Sequence, residues 1–128
     1  MESMKAAVSA YQDVQIDAAV LGASPHELIA KLFAKSIESI AEAKRYMLES
    51  DIPNKTAHLQ IAISIISDGL RGSLDMEAGG EIAEKLDLLY EYMLQRLMTG
   101  HAGNDPVLLD EVVTLLLEVK AGWDGIKP

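Results

Sequence analysis

The sequence predicts an all-α protein, an antiparallel four-helix bundle preceded by a short N-terminal arm or helix. Its 128 residues suit one domain with a single core. Apolar residues make up 49% of the chain but aromatic residues only 5%, so the core must be mostly aliphatic, as helix-on-helix packing prefers. Glycine and proline divide the chain into four segments with short connections, which favours antiparallel neighbours.

The first two helices are predicted from a capping signal and a break. Ser24 is a favourable N-cap, Pro25 occupies the first helical position, and Glu27 stands where a capping box requires an acid. The first helix therefore covers about residues 24–50. After a short break that contains a proline, the second covers about residues 53–74.

The third and fourth helices are separated by a second group of breaking residues. Gly79-Gly80 interrupts the chain, and the third helix is expected over about residues 80–99. Asn104-Asp105-Pro106 then supplies a cap and a proline at the first helical position. The fourth helix continues from there to about residue 122.

The expected domain organisation is an N-terminal arm over residues 1–22, a four-helix bundle over 23–124, and a tail over 125–128. The arm has small apolar side chains, and Tyr11 is its one aromatic residue. Gly22 separates it from the first helix, so we interpret it as a loosely docked segment.

Most large apolar side chains recur every three or four residues, which predicts one buried stripe on each helix. The expected core consists of Leu28, Ile29, Leu32, Phe33, Ile37, Ile40, Met47, Leu48, Leu59, Ile63, Ile66, Leu70, Leu74, Ile82, Leu86, Leu89, Met93, Leu97, Leu109, Val112, Val113, Leu116, Val119 and Trp123.

Four further apolar residues do not fit these stripes. At about 100° per residue, Ile61 and Ile65 fall opposite the core stripe of the second helix, and Leu88 and Tyr92 point away from that of the third. A surplus apolar face rimmed by polar groups is typical of a partner surface. Two alternatives stay open: the N-terminal arm covers this face, or the face forms a homodimer seam.

Charge and composition exclude several classes of function. The formal net charge is −9, with 20 acids against 11 bases and no basic run, which disfavours nucleic acids and anionic membranes. No apolar run is long enough to span a bilayer, and the start lacks the pattern of a signal peptide. The absence of cysteine is compatible with a reducing compartment. We expect a cytoplasmic protein.

The sequence contains no recognisable catalytic or metal-binding motif. The three histidines, His26, His58 and His101, lack the Glu-x-x-His pattern of di-iron bundles. Ala30 stands where a zincin motif that begins at His26 would need its second histidine. We therefore predict no enzyme, no metal and no cofactor, and we interpret the histidines as solvated helix-end or loop residues.

Several segments resemble the flagellar export chaperone family over about residues 10–124. Their order and spacing make the resemblance specific, although each alone would be weak. The segments are Tyr11-Gln12-Asp13-Val14-Gln15, Ala23-Ser24-Pro25-His26-Glu27-Leu28-Ile29, Leu74-Asp75-Met76-Glu77-Ala78-Gly79-Gly80-Glu81-Ile82-Ala83, Leu89-Tyr90-Glu91-Tyr92-Met93-Leu94 with Arg96-Leu97, Asn104-Asp105-Pro106, and Trp123.

The resemblance implies an antiparallel four-helix bundle whose client is the disordered carboxy-terminal segment of flagellin, held in the cytosol to block premature polymerisation. It also implies that the arm, through Tyr11, Gln12 and Gln15, occupies part of the client groove when no client is bound. The surplus face of Ile61, Ile65, Leu88 and Tyr92 would then meet the client. One departure is the stretch Phe33-Ala34-Lys35-Ser36, where the family commonly carries a Tyr-Asp-Gly-Ala type stretch.

Overall fold

The computed structural model describes residues 24–126, and its secondary structure confirms the all-α prediction. The four helices in this range are α1 (Pro25–Leu48), α2 (Ile52–Ser64), α3 (Met76–Gly103) and α4 (Pro106–Asp124). Helix α2 continues directly into a π-helical segment, Ile65–Arg71. The predicted arm residues Tyr11, Gln12 and Gln15 lie outside the described residues.

The helices form a bundle in which each neighbour in sequence is also a neighbour in space. Helix α1 packs against α2 and α4, and α3 packs against α4 and the second helix. Lys44, near the end of α1, pairs with Asp110, near the start of α4, at 3.0 Å. Lys55, near the start of α2, contacts the end of α3 at His101. These contacts show that α1 and α4, and likewise α2 and α3, are antiparallel.

Side-chain caps define all four helix starts. Each cap oxygen accepts a hydrogen bond from a backbone N–H that has no partner within its helix. The accepting residues are Ser24, Asp51, Asp75 and Asp105, and their donors are Glu27, Asn54, Ala78 and Val107 at 3.2, 3.2, 2.9 and 3.0 Å. The caps predicted for α1 and α4 are therefore confirmed.

Helix α3 starts earlier and ends later than the glycines suggested. Asp75 caps it, and Gly80 bends it instead of breaking it, with a φ of 52° that favours glycine. Near the other end, Gly100 allows α4 to approach closely, because a Cβ there would lie 2.8 Å from Leu109 Cδ1. The helix ends at Gly103, and Asn104 adopts the left-handed conformation of a C-cap.

The core is aliphatic with few aromatic side chains, as composition indicated. Its buried hydrophobic members are Leu28, Leu32, Phe33, Ile40, Ala43, Met47, Leu59, Ala62, Ile65, Ile66, Leu70, Tyr90, Met93, Leu97, Leu109, Val112 and Leu116. Two residues assigned to the core stripes are instead exposed, Leu48 at the end of α1 and Ile82 after the bend in α3. Both lie near helix ends, where the neighbouring helix no longer covers them.

The prediction that Ile61 and Ile65 lie on an exposed face is wrong. Ile65 is fully buried, and Ile61 is half-buried and packs against the core. The reason is tertiary: α1 covers one side of the second helix, and the π-helical segment contacts both α1 and α3. The wider turn of a π-helix also changes the register that a constant 100° per residue assumes. Both sides of this helix are therefore used within the chain itself.

A buried lysine ties α2 to the end of α3. The Lys55 Nζ donates to the His101 carbonyl oxygen at 3.2 Å and to Asn104 Oδ1 at 2.6 Å. Lys55 is only 3% exposed, so its ammonium group is largely shielded from water although both bonds are only partly buried. The nearby His101 Nδ1 is buried, and within residues 24–126 it has no hydrogen-bond partner. Burial, and then the Lys55 charge, lower the pKa of His101.

We expect Lys55→Met to lower the free energy of unfolding by about 1.5–3 kcal/mol, because two acceptors at the end of α3 lose hydrogen bonds from a buried charged donor. Urea unfolding at neutral pH measures the change. Lys31→Met, at an exposed position of α1, is the matched control and should stay within about 0.5 kcal/mol of the parent. An equal decrease in the free energy of unfolding in both variants would show that the hydrogen bonds of Lys55 do not stabilise the fold.

Acidification should destabilise the bundle through His101. Its pKa is lower in the folded chain than in the unfolded chain, where a histidine titrates near about 6.5. The associated stability is complete above that value, and it is lost as the pH falls below it, because the unfolded state then binds more protons. Urea midpoints at neutral pH and at about pH 5 should differ less in His101→Gln than in the parent. Identical pH dependence in both proteins would contradict this assignment.

Candidate functional site

An apolar groove opens at the base of the bundle, the end that holds the starts of α1 and α3 and the end of α4. It encloses about 360 Å³. Its lining is almost entirely apolar and comes from all four helical regions. The lining residues are Ile29, Phe33, Leu70, Ser73, Leu74, Ile82, Leu86, Tyr90, Glu118, Val119, Gly122, Trp123 and Ile126.

The groove exists because the core is left open on one side at this end. Phe33 and Tyr90 are 2% and 3% exposed and belong to the core cluster, yet both also line the groove. Ile82 stands two residues after the bend at Gly80 and is 72% exposed. The groove thus leads from solvent-exposed apolar surface directly to core side chains.

The chemistry of the groove suits apolar side chains and little else. Burial raises the pKa of the Tyr90 phenol, as expected for a hydroxyl in low-dielectric surroundings. The Ser73 hydroxyl donates to the Gly69 carbonyl of the π-helical segment. Glu118 is the one carboxylate of the lining. Phe33, where the family commonly has tyrosine, adds no hydroxyl, so this part of the wall is wholly apolar.

A reciprocal clasp between His26 and Trp123 holds one wall of the groove in place. Their rings stack with centroids 4.8 Å apart and planes 13° apart. His26 Nε2 donates to the Trp123 carbonyl oxygen at 2.8 Å, and Trp123 Nε1 donates to the His26 carbonyl oxygen at 3.0 Å. The clasp joins the start of α1 to the end of α4. Neither ring can turn into the groove without losing these bonds.

The histidines are more involved in packing than the sequence indicated. His26 takes part in the clasp and is partly buried. His58 stacks on Tyr46 with ring centroids 5.3 Å apart. His101 has a buried ring nitrogen. His26 and His101 do lie at helix ends, as interpreted, but none of the three histidines is fully solvated, since each is partly buried.

The predicted partner residues do not share one surface. Leu88 and Tyr92 are 64% and 39% exposed, as predicted, but neither lines the groove. Ile61 and Ile65 pack into the core. Leu88 and Tyr92 therefore form an exposed pair on α3 that is separate from the groove. Ile65 belongs to neither surface, because it is buried in the core.

Sequence reasoning missed the groove because its residues have the same periodicity as the core. Ile29, Phe33, Ile82 and Trp123 were all assigned to the core stripes, and only the packed structure shows that they line an open groove. Two signals were present. Gly80 permits the bend before Ile82, and the single tryptophan of the chain lies at the end of the last helix.

Residues 24–126 contain neither a candidate metal site nor a candidate membrane-spanning helix. In that range no three His, Cys, Asp or Glu side chains are grouped so that they could hold a metal ion. None of the helices described is both long enough and apolar enough to cross a membrane.

Comparison with known proteins gives consistent matches along nearly the whole chain. The family profile described as Flagellar protein FliS matches residues 7–128. The flagellar secretion chaperone FliSB of Pseudomonas aeruginosa is 51% identical over 126 residues, which cover 98% of each chain. The flagellar secretion chaperones FliS of Vibrio cholerae and Salmonella typhimurium are 38% and 39% identical. They match 98% and 94% of this chain and 91% and 90% of their own lengths.

Proposed function

This chain belongs to the FliS family of flagellar proteins, and we propose that it is a secretion chaperone that binds the disordered carboxy-terminal segment of flagellin and prevents its polymerisation before export. The relatives named above are flagellar secretion chaperones, which supports the general role. The apolar groove at the base is the observation that carries the proposal, since it is an open apolar site of the kind that an unfolded client requires.

The energetics of a disordered client explain why such a groove suits it. A segment that orders on binding must bury enough apolar surface to offset its lost conformational entropy. Each Leu, Ile or Phe side chain that becomes fully buried contributes about 1.5–3 kcal/mol. The groove offers that burial through its open volume of about 360 Å³ and through the exposed Ile82 at its rim. Client side chains would therefore take the place of the missing core packing at this end.

The N-terminal arm is proposed to compete with the client for the groove. The described chain begins at Ser24, two residues before His26 of the clasp, so the arm joins the bundle beside the groove. The stretch from residue 11 to residue 23 can reach up to about 45 Å when extended. That length brings Tyr11, Gln12 and Gln15 within range of every lining residue. An empty groove would then be shielded by the chain itself.

The proposed role is binding without catalysis, in the cytoplasm, with no metal or cofactor. Leu88 and Tyr92 keep their predicted role as partner-binding residues, but on a surface separate from the groove. Self-association through that exposed pair is the alternative use. Sedimentation of the free chain, with and without a flagellin carboxy-terminal peptide, would distinguish a dimer that ignores the client from a chaperone–client complex.

Ile82→Asp should weaken binding of a flagellin carboxy-terminal peptide by tenfold or more, because it places an unpaired carboxylate in an apolar binding site. Ile82 is 72% exposed in the free chain, so the substitution leaves the core intact. Calorimetric titration measures the affinity. The fluorescence of Trp123, the single tryptophan, reports independently whether the groove is filled.

Ile52→Asp is the matched control, with the same change at an isoleucine that is 60% exposed at the opposite end of the bundle. It should retain the affinity of the parent within about twofold, as a surface substitution remote from the site. Unchanged affinity in Ile82→Asp, with both variants folded by circular dichroism, would remove the groove as the client site. Ile65→Asp is unsuitable for this purpose, since it would bury a charge in the core.

Deletion of residues 1–20 should raise the affinity for the flagellin peptide, because the competing arm no longer has to leave the groove. The same titration gives the result, and the Trp123 fluorescence of the free chain should shift as its wall becomes exposed to solvent. A Tyr11→Ala and Gln12→Ala double variant of the full chain is the finer test and should move in the same direction. No change of affinity in either protein would reject the competition.

A further inference from the structure

The net negative charge of residues 24–126 comes from one half of the bundle. Residues 24–74, with α1 and α2, carry six acidic and six basic side chains, whereas residues 75–126, with α3 and α4, carry eleven acidic and three basic ones. The first half is therefore neutral, and the second has a formal charge of −8. A segregation of this size gives the α3–α4 side a negative potential that attracts cationic partners.

An exposed apolar pair stands in the middle of this acidic half. Leu88 and Tyr92 are one turn apart on α3, so both project from the same outer face. The Tyr92 hydroxyl donates to Glu111 of α4, and Arg96 Nε donates to Glu111 Oε1 at 2.7 Å. The Arg96 guanidinium also lies 5.6 Å from the centroid of the Tyr92 ring. These contacts fix the orientation of the ring, so it is a preorganised anchor for a partner.

Acidic side chains border the apolar pair on both sides. Towards the second helix lie Asp87 and Glu91, which Arg71 contacts at 2.6 and 3.8 Å. Towards α4 lies Glu111. Glu84, one turn before Leu88, is exposed, and no basic side chain within residues 24–126 pairs with it. We refer to Glu84, Leu88, Glu91 and Tyr92 as the α3 face.

We propose that the α3 face is a second docking surface, for a basic amphipathic helix of a partner protein. The apolar pair would receive two apolar side chains of that helix at neighbouring turns. Arg71 and Arg96 already contact Asp87, Glu91 and Glu111, so the lysines or arginines of the partner would be attracted by the exposed Glu84 and by the net charge of −8 on this half of the bundle. Leu88 and Tyr92 do not line the groove, so this docking surface does not overlap the proposed client site. Nucleic acid and anionic membrane are poor alternatives, because the same negative potential repels them.

The test uses the full chain, alone and with the groove occupied by a flagellin carboxy-terminal peptide. The probe is a fluorescent helical peptide with leucines at positions i, i+4 and i+7 and lysines at the flanking positions. Two comparison peptides carry glutamates instead of the lysines, or serines instead of the leucines. Fluorescence anisotropy gives the affinities in about 0.1 M and about 1 M salt, where charges are screened over about 10 and 3 Å.

The lysine–leucine peptide should bind at least tenfold more tightly than either comparison peptide at the lower salt concentration, with or without client, and should weaken at the higher one. Leu88→Asn and Glu84→Lys should each reduce its affinity about tenfold. The matched controls are Leu48→Asn, at a leucine of similar exposure (67%), and Glu38→Lys, at an exposed acid on the neutral half, and both should leave it unchanged.

Three results would overturn the proposal. Equal binding of the serine peptide would indicate general attraction of cations to an acidic protein. Equal losses in the variants and in their controls would mean that binding is not localised to the α3 face. Displacement of the lysine–leucine peptide by client would place both ligands in one site. None of these results bears on whether the flagellin peptide itself binds, so the proposed chaperone function is tested separately.

Discussion

A four-helix bundle closes its core only where all four helices lie side by side, and in this protein that condition fails at the base. The bend at Gly80 separates the first turn of α3 from the rest of the helix, and beyond it Ile82 is exposed while the buried Phe33 and Tyr90 form the inner end of the groove. The groove is therefore a part of the core that has no partner within residues 24–126. Its apolar character follows directly from this origin, because the residues that line it obey the same periodicity as the rest of the core.

The two ends of the bundle are fastened by different interactions, and the difference suits their roles. At the opposite end, the buried Lys55 binds the last turn of α3 and its C-cap through two partly buried hydrogen bonds. At the base, the clasp of His26 and Trp123 joins two helices while leaving the face of the indole in the groove wall. The first arrangement completes the packing of the interior. The second holds one wall of the groove in place, which would reduce the conformational entropy that the groove itself loses when the proposed client binds.

Helix starts were predictable from the sequence because they depend on local capping residues. The burial of individual side chains was not, because it depends on which neighbouring helices cover them. Ser24-Pro25 and Asp105-Pro106 specify helix starts through their own side chains, and the structure places both starts there. The resemblance carried by the same segments identified the family. Ile65 shows the limit: its side of the helix appears surplus at constant periodicity, yet α1 and α3 cover both sides of the π-helical segment. Ile82 is the opposite case: its periodicity predicts burial, but it is exposed, because periodicity does not indicate where a neighbouring helix ends.

Helix α3 contributes residues both to the groove and to the α3 face, so a movement of this helix would affect both surfaces. Ile82, Leu86 and Tyr90 point towards the groove, while Leu88 and Tyr92 lie on the outer face of the same helix. A helix moves as a rigid unit, so a client that shifts α3 about the bend at Gly80 also shifts the outer face. Helix α4 resists that movement, because Glu111 is bonded to both Tyr92 and Arg96. Since α4 also lines the groove through Val119 and Trp123, the groove and the α3 face share both helices, and any coupling between their proposed ligands would pass through these bonds.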